Sequence, residues 1–119
     1  MITSKDGWTI LVGRTGSDND KLTFKLAAPD DLWLHAAGVP GAHVVIRNPD
    51  RKPSVPSATL AEAAALALWF SDARSEQGAD VMWTRRKNVR RAKGGSSGKV
   101  VIKRFETIRT RAHPPPGEN

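Results

Sequence analysis

The chain has 119 residues, which is enough for one domain with a single hydrophobic core. Its hydrophobic and charged fractions, 39% and 26%, are ordinary for a globular protein. The absence of cysteine excludes disulfide bonds, thiolate catalysis and cysteine-based zinc sites. No apolar run approaches the length of a transmembrane helix, and the N-terminus lacks the features of a signal peptide. We therefore expect a cytoplasmic protein that does not contact membranes.

The net charge of +7 is concentrated towards the C-terminus. Residues 1–78 carry 8 lysines and arginines against 9 acidic residues, whereas residues 79–119 carry 11 against 3. The run RRKNVRRAK at residues 85–93 holds six of these basic side chains. A surface that serves solubility alone does not need clustered charge. The cationic end therefore predicts a polyanionic partner, most often nucleic acid.

The N-terminal part contains several short segments with the composition or two-residue alternation of β-strands. Leu22, Phe24 and Leu26, for example, alternate with polar side chains. Residues 39–42 fit a type II turn, with proline at its second position and glycine at its third. The predicted strands are Trp8–Val12, Leu22–Leu26, Leu32–Ala36 and His43–Arg47, and the polar segment Arg14–Lys21 is predicted to be a turn.

One α-helix is predicted after the proline-rich loop that ends at Pro56. Thr59 and Glu62 have the spacing of a capping box, and the alanine-rich stretch that follows favours a helix. Gly78 is typical of a residue just beyond a helix C-terminus, so the helix is predicted to be long and to end near Gln77.

The C-terminal part completes an α+β fold: a mainly antiparallel β-sheet packed against one long α-helix, with a basic strand-loop-strand segment near the C-terminus. Residues 1–111 are predicted to form a single domain, and residues 112–119 a disordered tail. The sequence GGSSG at residues 94–98 is predicted to be a flexible tip. The predicted strands of this part are Asp80–Thr84, Lys99–Arg104 and Glu106–Thr110.

The basic segment is the first candidate binding surface. Lysine and arginine pair with phosphate through charge, and the planar arginine fork adds two hydrogen bonds. A glycine-rich tip allows the backbone to approach a phosphate closely. Because phosphate contacts do not read sequence, the segment predicts polyanion binding without specificity. Its candidate residues are Arg85, Arg86, Lys87, Arg90, Arg91, Lys93, Lys99 and Lys103.

The strand pair around the turn at residues 39–42 is the second candidate surface. If Leu32 and Leu34 face the core, an aromatic ring, two imidazoles and a guanidinium face the other way, where they could stack on bases and bind phosphate. The alternative, which composition favours, is that a helix or loop covers this face and the histidines are hydrogen-bonded. The residues concerned are Trp33, His35, His43 and Arg47, and Arg14 and Lys25 complete the candidate RNA-binding set.

The sequence gives little support for catalysis. No nucleophile motif is present, and the stretch GGSSGK lacks the spacing of a P-loop. His35 and His43 could act as an acid/base pair or as metal ligands in an RNA-processing or RNA-modifying enzyme, but no third ligand is placed near them. We expect no cofactor, no metal and no catalytic residue.

Several motifs, in order and spacing, resemble one known family over residues 7–110. They are Gly13-Arg14 followed by Asn19-Asp20, then DLWLHAAGVPGAHVV, then the EAA helix with Ser71 and Arg74, then the basic segment with Gly98. This pattern is similar to the NFACT-R domain, the RNA-binding domain of the NFACT proteins. These proteins are known as RqcH in bacteria and NEMF in animals, and they act in ribosome quality control.

The resemblance implies a non-catalytic module that contacts tRNA or ribosomal RNA, with the large ribosomal subunit as a further candidate partner. The chain is expected to be a monomer, and either a standalone small member or an excised domain. A generic polyanion-binding or protein-interaction module remains a further alternative to the RNA-processing enzyme. The family's polar and turn positions fall on Arg14, Asn19, Asp20, Asp31, Trp33, His35, Gly38, Pro40, Gly41, His43 and Arg47.

Overall fold

A six-stranded antiparallel sheet, covered on both faces, organises the molecule. The structure is a computed structural model that describes residues 1–94 and 99–117. In chain order the strands of this described part are β1 (Ile2–Thr3), β2 (Thr9–Val12), β3 (Leu32–Ala36), β4 (Val44–Ile46), β5 (Ala79–Arg85), β6 (Val89–Arg91), β7 (Val100–Ile102) and β8 (Glu106–Thr110). The sheet has the order β1-β2-β4-β3-β5-β8, and β6 and β7 form a separate two-stranded ribbon.

The prediction of one long helix packed on a sheet is wrong. The described residues contain two short α-helices and one turn of 3-10 helix, Arg86–Asn88. The first is α1 (Gly16–Lys21), which continues directly into a π-helical turn, Leu22–Leu26. The second is α2 (Ser57–Trp69), which has 13 residues.

The first helical segment replaces both a predicted turn and a predicted strand. The Thr15 hydroxyl accepts a hydrogen bond from the Asp18 N–H at 3.0 Å, which caps the helix start. The Ala27 N–H donates to the Leu22 carbonyl at 2.9 Å and closes the π-helical turn. Leu22 is buried, but Leu26 is 59% exposed, so the apolar alternation at 22, 24 and 26 does not follow a single buried face.

The predicted capping box of α2 is also wrong, because the N-cap is Pro56, three residues before Thr59, and the helix begins at Ser57. Thr59 lies inside the helix, where its buried hydroxyl hydrogen-bonds Ser4 at 2.9 Å. The Glu62 carboxylate accepts the Lys5 N–H at 3.2 Å. Both side chains fix the N-terminal segment of the chain rather than the helix end.

The helix ends at Trp69, well before the predicted Gln77. The Ser71 hydroxyl donates to the Leu68 carbonyl at 2.8 Å, which satisfies an acceptor of the last turn. Ser71 also forms a β-bridge with Gly41, so tertiary pairing directs the chain away from the helix axis.

The main hydrophobic core lies between the sheet and α2. The alternation in β3 and β4 places Leu32, Leu34, Val44 and Ile46 on this face, as predicted. The buried alanines of α2 allow close approach of the helix to the sheet.

A second core covers the opposite face of the sheet. Trp33 and Val45 pack there against Leu22 of the π-helical turn and Val89 of the ribbon. Val100 and Ile102 of β7 extend the cluster. The ribbon is therefore fixed to the sheet by its apolar inner face.

Residues 112–119 were predicted to be a disordered tail. The described part of this segment, residues 112–117, lies against α2. The His113 N–H lies 3.3 Å from the Ala65 carbonyl, to which it donates, and Pro115 is buried. Residues 118–119, and residues 95–98 of the predicted flexible tip, lie outside the described residues.

Candidate nucleic-acid interface

The ribbon of β6 and β7 separates its basic side chains between two faces. Arg90 pairs with Val101, and Arg91 pairs with Val100. Because Val89 and Val100 pack on the body, alternation places Arg90 and Val101 on the outer face. Val101 is 42% exposed there, and Lys99 and Lys103, two residues to either side of it, are exposed as well. We call these four residues the outer ribbon face.

Arg91 and Arg86 lie instead against the body of the protein. The Arg91 Cζ is 4.5 Å from the centre of the Phe24 ring, and the Arg86 Cζ is 4.8 Å from it. Arg91 also forms an ion pair with Asp20, and this hydrogen bond holds the pKa of the Asp20 carboxyl below its usual value. Partial burial, and then the charge of Arg91, lowers the pKa of Arg86, which donates to the Thr23 carbonyl. These two arginines fix the ribbon to the π-helical turn.

Three further candidate cations are held by nearby backbone or carboxylate groups. Arg85 donates to the Asp30 carbonyl at 2.7 Å and to the Pro53 carbonyl at 2.6 Å, so it fixes the loop after β4. The Lys87 ammonium lies 3.6 Å from a carboxylate oxygen of Asp30. The Arg47 Nε lies 2.8 Å from the buried Asp31 carboxylate, with its N–H not aligned for a hydrogen bond.

Trp33, His35 and His43 form one aromatic cluster on the ribbon side of the sheet. The rings of Trp33 and His35 are stacked, with centroids 5.9 Å apart and planes 7° apart. His43 meets both edge-on, at 5.1 Å from Trp33 and 5.7 Å from His35. Trp33 and His43 are buried, whereas His35 is half-buried. Trp33 and His43 therefore occupy the positions expected in the alternative in which a helix or loop covers this face of the sheet.

Hydrogen bonds fix the rings of this cluster. The Trp33 Nε1–H donates to the Thr23 hydroxyl at 3.2 Å, and the same hydroxyl lies 2.7 Å from His43 Nδ1. His35 Nδ1 lies 2.6 Å from the Ala36 carbonyl, which requires a proton on Nδ1. Burial lowers the pKa of His35 below its ordinary 6.5, so its ring is neutral at pH 7.

A cleft of about 510 Å³ connects this cluster to the ribbon. His35 and His43 line its floor, the turn at residues 38–41 forms one wall, and Lys99, Val100 and Ile102 form the other. We call it the ribbon cleft. Lys99 of the outer ribbon face and the half-buried His35 therefore line the same cleft.

The remaining candidate cations, Lys25, Lys93 and Arg14, are exposed at separate places. Lys25 belongs to the π-helical turn, and Lys93 follows the ribbon strand β6. Arg14 lies on the other side of the turn at residues 38–41, with its Cζ 4.2 Å from the centre of the Phe70 ring.

Comparison with known proteins assigns this architecture to a family. A sequence model of the family described as "NFACT protein RNA binding domain" matches residues 1–104. The chain belongs to this family. The match spans β1 to β7 and both α-helices, and β8 follows it.

The relatives of this NFACT-R domain include much longer proteins. The Rqc2 homolog RqcH of Bacillus subtilis is 38% identical over 107 residues, and that of Streptococcus suis is 41% identical over 105. These matches cover 88% and 87% of this chain but only 18% of each relative, so the chain spans about a fifth of their length. The human ribosome quality control complex subunit NEMF is 33% identical over 70 residues, which are 59% of this chain and 6% of NEMF.

A solved structure has the same fold as this NFACT-R domain. It is the C-terminal part of the fibronectin/fibrinogen-binding protein from Streptococcus suis, with a TM-score of 0.85 and 36% sequence identity. The match covers 94% of this chain and 45% of that one.

The structure of the NFACT-R domain also identifies two supporting residues that were not among the candidate RNA-binding residues. Thr23 joins Trp33 to His43, but it lies in a segment whose alternation predicted a strand. Asn19 was noticed only through the resemblance, and its Oδ1 accepts the His43 N–H at 3.0 Å. Neither contact has a local signal, since both partners are distant in sequence.

Neither a cluster of metal ligands nor a membrane-spanning helix is present in the described part of this NFACT-R domain. Within residues 1–94 and 99–117, no group of three or more histidine, cysteine, aspartate or glutamate side chains is arranged to hold a metal ion. Over the same ranges, no helix has the length and apolar character needed to cross a membrane.

Proposed function

We propose that this NFACT-R domain is a non-catalytic module that binds tRNA or ribosomal RNA through the outer ribbon face and the ribbon cleft. The observation that carries the proposal is the outer ribbon face itself. Arg90, Lys99 and Lys103 are exposed there, and the ion pairs of the described residues hold other cations: Arg47, Lys87, Arg91 and Arg109. Phosphates can therefore approach these three side chains without displacing a carboxylate.

The ribbon cleft supplies a second feature that fits RNA. Unpaired RNA bases stack on exposed ring faces while phosphates contact nearby cations. His35 is half-buried at the floor of the cleft and Lys99 lies at its wall. A loop or an unpaired end of RNA could thus place a base near His35 and its phosphate near Lys99.

The other candidate residues support this surface in our proposal. Trp33 and His43 are buried, and Arg86 and Arg91 fix the ribbon to the π-helical turn. Lys25 and Lys93 are exposed and are proposed as additional phosphate contacts. The ribosome, through its large subunit, is the proposed setting, because relatives of this chain include a ribosome quality control complex subunit.

The test is fluorescence anisotropy with labelled tRNA, titrated at several salt concentrations, with duplex DNA and heparin as competitors. The variant Arg90→Glu/Lys103→Glu should weaken tRNA binding several-fold and flatten the slope of log K against log salt, because phosphate contacts are lost. A matched control, Arg51→Glu/Arg111→Glu, changes the net charge equally at exposed arginines away from the ribbon. Its affinity should stay close to that of the parent.

Equal losses in both variants would contradict the assignment of the outer ribbon face. If heparin and duplex DNA compete as well as tRNA, the protein is a generic polyanion binder rather than an RNA module. The two imidazoles 5.7 Å apart make cleavage the rival activity. Gel analysis of tRNA after incubation, with and without divalent metal, should show intact RNA, and a shortened product would overturn the non-catalytic part of the proposal.

A further inference from the structure

A second pair of arginines lies across the turn at residues 38–41 from the ribbon cleft. The Arg74 Cζ is 3.4 Å from the centre of the Trp69 ring, and the Arg14 Cζ is 4.2 Å from the centre of the Phe70 ring. Both arginines line a shallow cleft of about 440 Å³ at the C-terminal end of α2. We call it the arginine cleft.

The guanidinium groups of the arginine cleft are oriented but not neutralised. A guanidinium that stacks on a ring keeps the N–H donors at its edge directed towards solvent, in a planar fork that fits phosphate oxygens. The ion pairs found in the described part of the chain do not involve Arg14 or Arg74. Asp72 contributes a carboxylate to the lining, so two cations face one acid among the lining residues that are described.

The backbone beneath Arg14 is fixed in place. The Gly13 N–H donates to the His43 carbonyl at 2.9 Å. A Cβ at Gly13 would lie 2.4 Å from the Asn19 Oδ1 and 3.0 Å from the Asn19 backbone, so the close approach requires glycine. Since Asn19 and His43 also line the ribbon cleft, Arg14 is held in a defined position relative to that cleft.

The two clefts share one boundary. Asn19, Pro40 and Gly41 line both of them. This boundary is joined to the end of α2, because the Ala42 N–H donates to the Phe70 carbonyl and the Asp72 N–H to the Pro40 carbonyl, each at 3.0 Å. Gly41 also approaches Ser71 so closely that a Cβ would lie 2.8 Å from the Ser71 Cβ.

We infer that one RNA strand, bound at the ribbon cleft, continues over the Pro40–Gly41 turn and places its backbone phosphates on Arg14 and Arg74. The inference rests on the proposed function and extends it. It makes Arg74 a phosphate contact and the arginine cleft a second subsite for the phosphodiester backbone of unpaired RNA. The ligand class is a continuous strand rather than a free anion.

The experiment compares Arg14→Gln/Arg74→Gln with the matched control Arg51→Gln/Arg111→Gln, using single-stranded RNAs of about 4 and about 16 nucleotides. The cleft variant should bind the longer RNA several-fold more weakly than the control does. Losing two phosphate contacts should flatten its salt slope by about 1.4. Arg14→Lys/Arg74→Lys keeps the charge and should keep most of the slope, while Asp72→Asn should tighten binding of the longer RNA.

The outcomes separate this inference from the proposed function. If the parent protein binds no RNA, both fail. If Arg90→Glu/Lys103→Glu weakens binding but the arginine-cleft variant equals its control, the outer ribbon face stands and the inference is overturned. An equal loss for short and long RNA would also overturn it, because the arginine cleft would then not lie along a continuing strand. If inorganic phosphate at millimolar concentration binds the arginine cleft without competing with the longer RNA, the inference is also overturned, because the arginine cleft is then a separate anion site. Thermal unfolding identifies a misfolded variant. In that case Asp72→Asn carries the test: tighter binding of the longer RNA alone supports the inference, and unchanged binding overturns it.

Discussion

Asp31 joins separate segments of the chain through one buried carboxylate. Its Oδ1 accepts the Asn48 N–H at 2.7 Å, and its Oδ2 accepts the Ala28 N–H at 2.9 Å and lies 2.8 Å from Arg47. The backbone carbonyl of Asp31 accepts the Arg86 N–H at 2.8 Å. The residue thus joins the start of β3 to the end of β4, which lie at the same end of this antiparallel strand pair.

Asp31→Asn should lower the free energy of unfolding by about 2 kcal/mol, because the amide can accept only one of the two backbone N–H bonds and leaves the other buried donor unpaired. Urea denaturation measures this change. Asp50→Asn, at an exposed position in the next loop, is the matched control and should change stability by less than about 0.5 kcal/mol. Equal unfolding midpoints for the two variants would refute this structural role.

His35 should make stability depend on pH. Burial lowers the pKa of His35 in the folded state below its ordinary 6.5, so near and below that pH the unfolded chain binds more protons than the folded one. The free energy of unfolding should therefore fall as the pH drops below about 6.5 and be fully restored above it. Urea midpoints measured between about pH 7.5 and pH 5.5 follow this change.

The matched variants for this pH effect are His35→Gln and His113→Gln. The first should flatten the pH dependence, whereas the second, at an exposed position, should leave it unchanged. A parent protein whose midpoint does not move over this range would show that His35 protonates as easily in the folded state as in the unfolded one.

At the scale of single residues, alternation predicted which side chains share a face, and composition favoured a covered face for Trp33 without identifying the covering residues. Alternation placed Trp33 opposite Leu32 and Leu34, and the structure agrees. Whether Trp33 meets solvent depends on Leu22 and Val89, which are distant in sequence and have no local pattern linking them to it. In the basic run, Arg90 and Arg91 are both exposed, and only the fold shows that Arg91 forms an ion pair with Asp20.

The ribbon is the element on which the proposed interface depends. Its inner face packs on the second core through Val89, and its outer face carries the exposed cations. Val89→Ala should weaken this attachment by about 2 kcal/mol, because the truncation leaves a cavity beside Trp33 and Val45. The ribbon amides should then exchange faster, and RNA affinity should fall although no charge has changed.

Val101→Ala is the matched control for packing alone: it makes the same substitution on the same ribbon, at a position that is 42% exposed and lies within the proposed interface. Hydrogen exchange and RNA titration of both variants separate packing from contact. A larger loss of RNA affinity in Val101→Ala than in Val89→Ala would show that the exposed valine contacts RNA directly and that packing of the inner face matters less.

The errors in predicting elements came from signals that tertiary contacts override. The capping-box spacing of Thr59 and Glu62 is present, but both side chains are occupied by the N-terminal segment. The alternation over residues 22–26 exists, but the helix that Thr15 caps continues through it. Strands flanked by turn residues, such as β3 and β4, were easier, because their two-residue period matches the division of their side chains between the two cores.

The charge of the whole molecule is uneven along the sequence and in space. The net charge is +8 over residues 79–119 and −1 over residues 1–78, yet Arg14 and Arg74 of the arginine cleft belong to the neutral part. A sequence profile of charge therefore identifies the ribbon but not the arginine cleft. Only the fold brings the two clefts to one boundary at Pro40 and Gly41.

The distribution of RNA contacts over the molecule can be mapped by hydrogen exchange with and without a bound RNA strand. Three segments should exchange their amide hydrogens more slowly in the complex, because the bound RNA strand crosses all of them. They are the ribbon, residues 38–41 and residues 70–74. The cleft of about 660 Å³ between β1, α2 and residues 113–117 lies away from these elements and should keep its exchange rates. If amide exchange slows as much at this cleft as at the ribbon, RNA binds diffusely through net charge. If exchange slows only at the ribbon, the interface is limited to the outer ribbon face.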